Sequence, residues 1–359
     1  MKTAGKSFLF VPDITGFTAF VNKTEVAHSQ HIISELLELL IESDELNLEV
    51  SEVEGDAVLF YGKDFVPPIT AIIEQAERMF INFHNHLKQY EVRRICQCGA
   101  CSSAVDLSLK MVAHAGEFGF TTVHNHSKPF GADLVLVHRL LKNDIDIQEY
   151  LLLTDRFENE LKAEGAMPPW AQWSTGHTIY DKLGKVNYRY LPLKPLHEKV
   201  EEPTPPSPPK KAENPYKHVV YIEKAAKDVF EMITNLEMRL LWNKGIEDLI
   251  YEEGKINRMG MRHRCLFPVG KADIETVPMA GTEGGEMVYG EQMKDFKMAE
   301  QVNLYYILKG QNGGCRLEIQ FHYFPLPWIG WMISPVIKTL MKKRIKEMGK
   351  ALKKLCESS

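Results

Sequence analysis

The stretch FLFVPDITGFTAF, residues 8 to 20, decides how the N-terminal half is read. Its apolar run from Ser7 to Val11 predicts a strand, and Phe17 to Ser43 predicts a helix, because Ile33, Leu36, Leu37 and Leu40 recur at helical spacing. Downstream, SEVEGDAVLFYG (51 to 62) places Gly55-Asp56 between the strand-like runs Leu48 to Glu54 and Ala57 to Tyr61. That dipeptide suits a tight turn between antiparallel strands. Pro68 to Gln89 then reads as a helix, Leu107 to Ala113 as a strand, and Ala132 to Lys142 as a helix opening after Pro129-Phe130-Gly131. Strand, helix, two strands, helix, strand is the order of a split βαβ sheet of the ferredoxin-like α+β class, expected with helices on one face.

Asp13 ends the first strand and Asp56 sits in the hairpin turn, so pairing of these strands would bring both carboxylates to one end of a sheet. Two readings follow from spacing. Magnesium with a nucleoside triphosphate needs such oxygen ligands on a rigid backbone. Equally, Asp13 serves as a helix cap and Asp56 as an ordinary turn residue.

FVPDITGFT resembles the first metal-binding motif of class III adenylyl and guanylyl cyclases, and EGDAVLFY resembles the second. VAHAGEFGF (112 to 120) is similar to the family's strand with a His-x-Gly-Glu pattern. PFGADLVLVHRLL (129 to 141) resembles the helix carrying its transition-state residues, and LGKVNYRYLPL (183 to 193) its last strand. The resemblance spans about residues 5 to 194, and the domain is expected to extend over 1 to 197. It implies that Asp13, Asp56 and the Ile14 carbonyl hold magnesium or manganese with a nucleoside triphosphate. It also implies that Glu52 reads the purine, as a carboxylate can accept from guanine, and that Arg139 stabilises charge on the phosphoryl group. The complete site in this family lies between two subunits, so the resemblance implies a homodimer, or a partner cyclase that completes the site.

Two positions depart from the pattern. Val135 stands where the family's helix supplies an asparagine, and Lys128 stands at the second purine-reading position. Lys182 and Lys185 both stand near the phosphate-binding lysine's place. Losing one transition-state donor typically costs about a hundred- to thousandfold in rate. The expectation is a degenerate cyclase-like domain that binds nucleotide; if it is an enzyme, it is a nucleotidyl cyclase.

RRICQCGACSS (93 to 103) holds Cys96, Cys98 and Cys101 as C-x-C-x-x-C. These are buried thiols, or they share a zinc ion whose fourth ligand would be His84, His86 or His114. Nothing in the cyclase resemblance speaks to them.

EKVEEPTPPSPPKKAENP (198 to 215) has almost no apolar residue and marks a domain boundary, read as a semi-rigid polyproline spacer. Beyond it, strands begin at His218 to Ile222 and a helix at Ala226 to Thr234. A closing helix carries Ile337, Met341, Ile345, Met348, Leu352 and Leu355 on one stripe, with Lys338, Lys342, Lys343 and Lys346 on other faces. VVYIEKAAKDVFEMITNLEMRLLW (219 to 242) resembles the opening of START-like (SRPBCC) helix-grip domains, so residues 216 to 359 are expected to form a cup for an apolar small molecule or lipid. His263 and Glu275 read as isolated polar residues, solvent-facing or satisfied by neighbours rather than catalytic, and no catalytic constellation is visible here.

The 359 residues suit two domains, and 44% hydrophobic with 25% charged residues suits globular ones. A formal charge of -5 with dispersed Lys and Arg argues against nucleic acid as a partner. The N-terminus shows no cleavage pattern. Phe324 to Ile337 is too short and proline-rich to span a bilayer. A cytoplasmic signalling or sensory protein coupling the two domains is the expectation. The rival readings are an active cyclase, and an apolar-ligand carrier that uses the cyclase fold for dimerisation.

Overall fold

The computed structural model describes all residues except 1–5, 25, 125, 158–166, 269, 282–283, 297–298, 329 and 359. Contacts divide the chain into two units, Met1–Glu91 with Cys98–Pro203, and Val92–Gln97 with Thr204–Ser359.

The first unit runs β1 (Ser7–Thr15), α1 (Phe17–Lys23), α2 (Val26–Glu42), β2 (Glu49–Glu54), β3 (Ala57–Gly62) and α3 (Ile69–Arg93). It continues with α4 (Gly99–Ser103), β4 (Ser108–Gly116), β5 (Gly119–Val123), β6 (His126–Phe130), α5 (Ala132–Leu140), β7 (Tyr150–Thr154), β8 (Ser174–Tyr180) and β9 (Gly184–Pro192). Seven strands form one sheet in the order β2-β3-β1-β4-β7-β9-β8, and β5 and β6 form a separate ribbon. β1 is antiparallel to both β3 and β4, while β4 and β7 run parallel.

Leu9, Val11, Leu59, Val112 and Leu152 pack with Val137 and Leu140 of α5 on one face. Their neighbours Phe8, Phe10 and Phe60, which point the other way along alternating strands, are equally buried. Both faces of the sheet are therefore covered, not one as the element order suggested; a local pattern of elements does not say on which side each crossover lies. The helix expected over residues 17 to 43 is interrupted at Thr24, whose extended backbone ends α1 while its hydroxyl donates back to the Phe20 carbonyl at 2.8 Å.

The second unit runs β10 (Tyr216–Ile222), α6 (Ala226–Thr234), α7 (Arg239–Trp242), β11 (Asp248–Ile250), β12 (Arg262–Phe267), β13 (Gly270–Val277), β14 (Glu286–Phe296), β15 (Ala299–Gln311), β16 (Gly314–Phe324) and α8 (Gly330–Ser358). Its sheet is antiparallel throughout, a meander β11 to β16 closed by β10 against β16. α8 packs against β10. Ile337, Ile345, Met348 and Leu352 are buried on its inner side, Met341 and Leu355 are half-buried, and Lys338, Lys342, Lys343 and Lys346 are exposed. This is a helix gripped by a sheet, as the START-like resemblance implied, and the buried stripe of α8 is the one its periodicity predicted. Both units are α+β.

The proline-rich segment forms no regular structure over 201 to 212, yet its ends are tied down. Glu201 N–H donates to Asn85 Oδ1 at 2.7 Å, and Lys88 pairs with Glu202 at 2.9 Å, within the first unit. Within the second, Asn303 donates to the Lys210 carbonyl at 2.9 Å and Ala212 N–H to His322 Nδ1 at 2.9 Å. A segment with little apolar surface is held at its ends by hydrogen bonds to its backbone. Among the described residues no helix is long and apolar enough to cross a membrane.

Candidate functional site

The first candidate site lies where β1 and the β2–β3 hairpin meet. Gly55 adopts φ 59°, the left-handed conformation that glycine takes without steric cost, and so turns the hairpin back at Asp56. The Ile14 N–H then donates to the Asp56 carbonyl at 2.8 Å, and Asp13 lies opposite Ala57 in the register. These backbone bonds place the Asp13 and Asp56 carboxylates near one another. Burial raises the pKa of both; for Asp13 the Asp56 charge adds to the effect. A pair of half-desolvated carboxylates favours a cation beside it.

That cation is in part supplied by the chain. Lys110, opposite Asp13 on β4, brings its ammonium to 3.3 Å from Asp13 Oδ1 and donates to the Leu141 carbonyl at 3.0 Å. The sequence reading missed Lys110, because cross-strand register, not local spacing, brings it to Asp13. The donor set still fits a hard divalent ion, with Asp13, Asp56 and the Ile14 carbonyl as oxygen ligands. Such an ion would compete with Lys110 for Asp13.

Glu52 and Lys128 also meet. Lys128 Nζ donates to Glu52 Oε2 at 2.6 Å, and His138 lies 3.3 Å from Glu54. The bond from Lys128 holds the Glu52 carboxyl below the usual range. A purine edge approaching Glu52 would have to displace an ammonium, which the sequence alone did not reveal.

The first turn of α5 lies against the end of β4, and Gly116 there explains the spacing of the VAHAGEFGF motif. A Cβ at Gly116 would lie 2.4 Å from Asp133 Oδ2 and 2.7 Å from His114 Nε2. Without it, Asp133 accepts from the Glu117 N–H at 2.7 Å and approaches His114 Nε2 at 3.3 Å, while His114 Nδ1 bonds Thr154 Oγ1 at 2.8 Å. This anchor sets the start of α5. Arg139 and Val135, one helical turn apart, then lie exposed, Val135 by 52%. An apolar side chain on that face can offer no hydrogen bond to a ribose.

A family described as Protein of unknown function (DUF2652) matches residues 33–150. An uncharacterized protein of Mycobacterium tuberculosis is 31% identical over 123 residues, which cover 34% of this chain and 57% of that protein. The chain thus spans little more than half the length of that relative. Among solved structures, the catalytic core of a rhodopsin-guanylyl cyclase in complex with ATPalphaS aligns over 52% of this chain and 96% of its own, with 14% identity and a TM-score of 0.39. A norcoclaurine synthase of Thalictrum flavum aligns over 41% and 96% at 14% identity and TM-score 0.33. A START superfamily protein from Mycobacterium smegmatis aligns over 40% and 97% at 14% identity and TM-score 0.31. The α+β class follows from the strand order and layers above, independently of these likenesses.

The second unit holds a buried polar cluster. Arg239 Nη2 donates to Glu291 Oε1 at 2.6 Å and to Tyr289 Oη at 3.2 Å, and Tyr289 donates to the same carboxylate oxygen at 2.9 Å. Asn257 donates to Tyr289 at 3.1 Å and accepts from Thr276 at 2.8 Å. The Arg239 guanidinium lies 4.9 Å from the Trp242 ring centroid. His263 Nε2 is 3.6 Å from Glu291 Oε1, and burial, only partly opposed by that carboxylate, pushes its pKa down to about 4. His263 is buried beside Glu291, not solvent-facing, the first of the two readings its sequence left open; on a curved sheet, period-two alternation does not tell the inner face from the outer. Glu275 is the surface residue expected, paired with Arg262 at 3.1 Å. No simple signal marked Arg239 beyond its place between apolar residues in MRLLW.

The histidines named beside the cysteine cluster are engaged elsewhere. His86 bonds Glu35 at 2.9 Å, His114 bonds Thr154, and His84 approaches Glu149 at 3.3 Å. None of them is the cluster's fourth donor; the folding of α3 and β4 carries them to other partners.

Glu149 also accepts from Ser108 at 2.6 Å and bonds His197 at 2.9 Å. Burial would raise its pKa, but the bonds from His84, Ser108 and His197 outweigh that and bring it to about 2 from an ordinary 4.5. A depressed carboxyl stabilises the fold above its unfolded pKa, and this contribution is lost as pH falls from about 4.5 towards 2. Glu149→Gln is therefore expected to be less stable than the wild type in urea at pH 7, with the difference shrinking below pH ~4.5. A gap independent of pH would contradict this account.

Proposed function

We propose that this is a signalling or sensory protein whose N-terminal unit binds a nucleoside triphosphate with magnesium or manganese and has lost most of its cyclase chemistry. The observation that carries the reading is the Asp13–Asp56 pair, held together by a backbone hydrogen bond and charge-compensated by Lys110. When bound, the divalent ion would neutralise phosphate charge and activate the 3′-hydroxyl. Asp13, Asp56 and the Ile14 carbonyl would hold it, Glu52 and Lys128 would face the base, and Arg139 would reach the phosphates. The exposed face bearing Arg139 and Val135 suits a site completed by a second copy of the chain. Val135 in place of a hydrogen-bonding residue argues for slow turnover or none.

The C-terminal unit, on this reading, takes an apolar molecule with a polar end. Arg239 Nε, His263 Nε2 and Tyr306 Oη are buried with no hydrogen-bond partner among the described residues, and a ligand's polar group would satisfy such atoms.

Calorimetric titration of GTP and ATP into the full chain with manganese tests the N-terminal reading, with chromatography of the products after long incubation. Metal-dependent binding with little or no cyclic product is expected. Absence of binding would overturn it in favour of a dimerisation scaffold. Efficient cyclic-nucleotide formation would overturn the degenerate reading in favour of an active cyclase.

A further inference from the structure

α2 starts at Val26, so His28 lies in its first turn. α4 is capped at its start by Cys98, whose Sγ accepts from the Cys101 N–H at 3.4 Å, while Ser102 N–H donates to the Cys98 carbonyl at 3.0 Å. This tight turn presents two sulfurs on one side. His28 Nδ1 reaches them across 70 residues of sequence, 3.2 Å from Cys98 Sγ and 3.5 Å from Cys101 Sγ. Cys96, tethered to Cys98 through a single intervening residue, contributes a third sulfur, and all four donor atoms lie within 4.8 Å of one another. All six cysteines are thiols rather than disulfides.

We propose that His28, Cys96, Cys98 and Cys101 form a structural zinc site. Zinc–sulfur bonds of about 2.3 Å and a zinc–nitrogen bond of about 2.1 Å at tetrahedral angles place nitrogen and sulfur roughly 3.6 Å apart. The two measured nitrogen–sulfur separations, 3.2 and 3.5 Å, are close to that edge. Three thiolates with one imidazole select zinc over magnesium or manganese, which prefer oxygen. Four protein donors fill the tetrahedron and leave no position for substrate, so the role is structural. The N–H···S bond from Cys101 supports a thiolate at Cys98, as an outer-sphere partner does in such sites. Cys96 and Cys101 are buried and Cys98 is half-buried, which slows exchange of the ion with solvent.

The ion would pin the first turn of α2 to α4. α2 follows β1 through α1, so the clip fixes the second helix after the strand that carries Asp13. Its presence does not depend on nucleotide binding.

Metal analysis of the full chain, purified under reducing conditions without chelator, is expected to give one zinc per chain. His28→Ala and Cys98→Ser are each expected to lose most of that zinc, while His84→Ala, altering the His84–Glu149–His197 group, keeps it. Because those variants risk misfolding, cobalt titration of the reduced, zinc-stripped wild type provides a second readout. A tetrahedral thiolate–cobalt absorption that saturates at one equivalent and is bleached by zinc is expected. Wild-type protein that carries no zinc and shows no such cobalt spectrum would overturn the proposal, as would zinc retained in both His28→Ala and Cys98→Ser.

Discussion

Glu291→Ala is expected to destabilise the C-terminal unit by about 3–5 kcal/mol, the cost of leaving a buried charge without its partner. Arg239 is among the largest fully buried side chains, and its guanidinium has the Glu291 carboxylate 2.6 Å away. Burial would lower the Arg239 pKa, yet the carboxylate holds the guanidinium firmly protonated, and burial would likewise raise that of Glu291 were it not for Arg239. Removing Glu291 strands the cation against Trp242 and Tyr289 and deprives the Tyr289 hydroxyl of its acceptor. The aromatic faces offset only part of this loss. The double replacement Arg239→Met with Glu291→Leu removes both charges and is expected to recover much of the stability, since paired burial yields little net gain over apolar packing. Urea unfolding followed by tryptophan fluorescence, with Trp242 beside the cluster as a probe, measures both. A single variant as stable as the wild type would mean that water reaches Arg239 in the folded protein.

The second large effect is expected at the carboxylate pair, where two substitutions should act in opposite directions. Asp56→Ala removes one of two adjacent oxygen donors and is expected to abolish manganese-dependent nucleotide binding. Lys110→Ala removes the ammonium 3.3 Å from Asp13 and leaves two half-buried carboxylates with less compensation. Their pKa values should then rise further, and a divalent ion should bind more tightly, by about tenfold or ~1.4 kcal/mol. Because proton and metal compete for the same oxygens, the gain should be largest at pH 8 and smaller near pH 5. Titrations of manganese alone into the wild type and Lys110→Ala at both pH values read this out. Equal affinity in the two proteins would show that Asp13 is not a ligand of the ion.

These expectations differ in how far they were legible in the sequence. The turn at Gly55-Asp56 and the strand ending at Asp13 are local features, but the two carboxylates come together only because β1 pairs with β3, Asp13 opposite Ala57, a long-range register that the two-residue turn does not set. α5 was legible from the Pro129-Phe130-Gly131 segment that opens it, and the stripe of α8 from its apolar spacing. The break at Thr24 was not, because the apolar period continues across it and only the backbone geometry ends the helix.

The sequence by itself determined the first strand and the hairpin that carries Asp56 in its turn, the long amphipathic helix at the C-terminal end and the trio of cysteines on one short segment. All of these depend on neighbours within a few residues, where periodicity, turn chemistry and covalent spacing constrain the chain. Only the tertiary structure decided that Lys110 compensates Asp13, that Lys128 occupies Glu52, that Arg239 finds Glu291 across 52 residues and that His28, not His84, His86 or His114, joins the cysteines. Each of those pairings depends on sheet register and on which face a helix buries. These are settled by the packing of the whole core, where a charged or sulfur-bearing side chain goes wherever the surrounding apolar residues carry it.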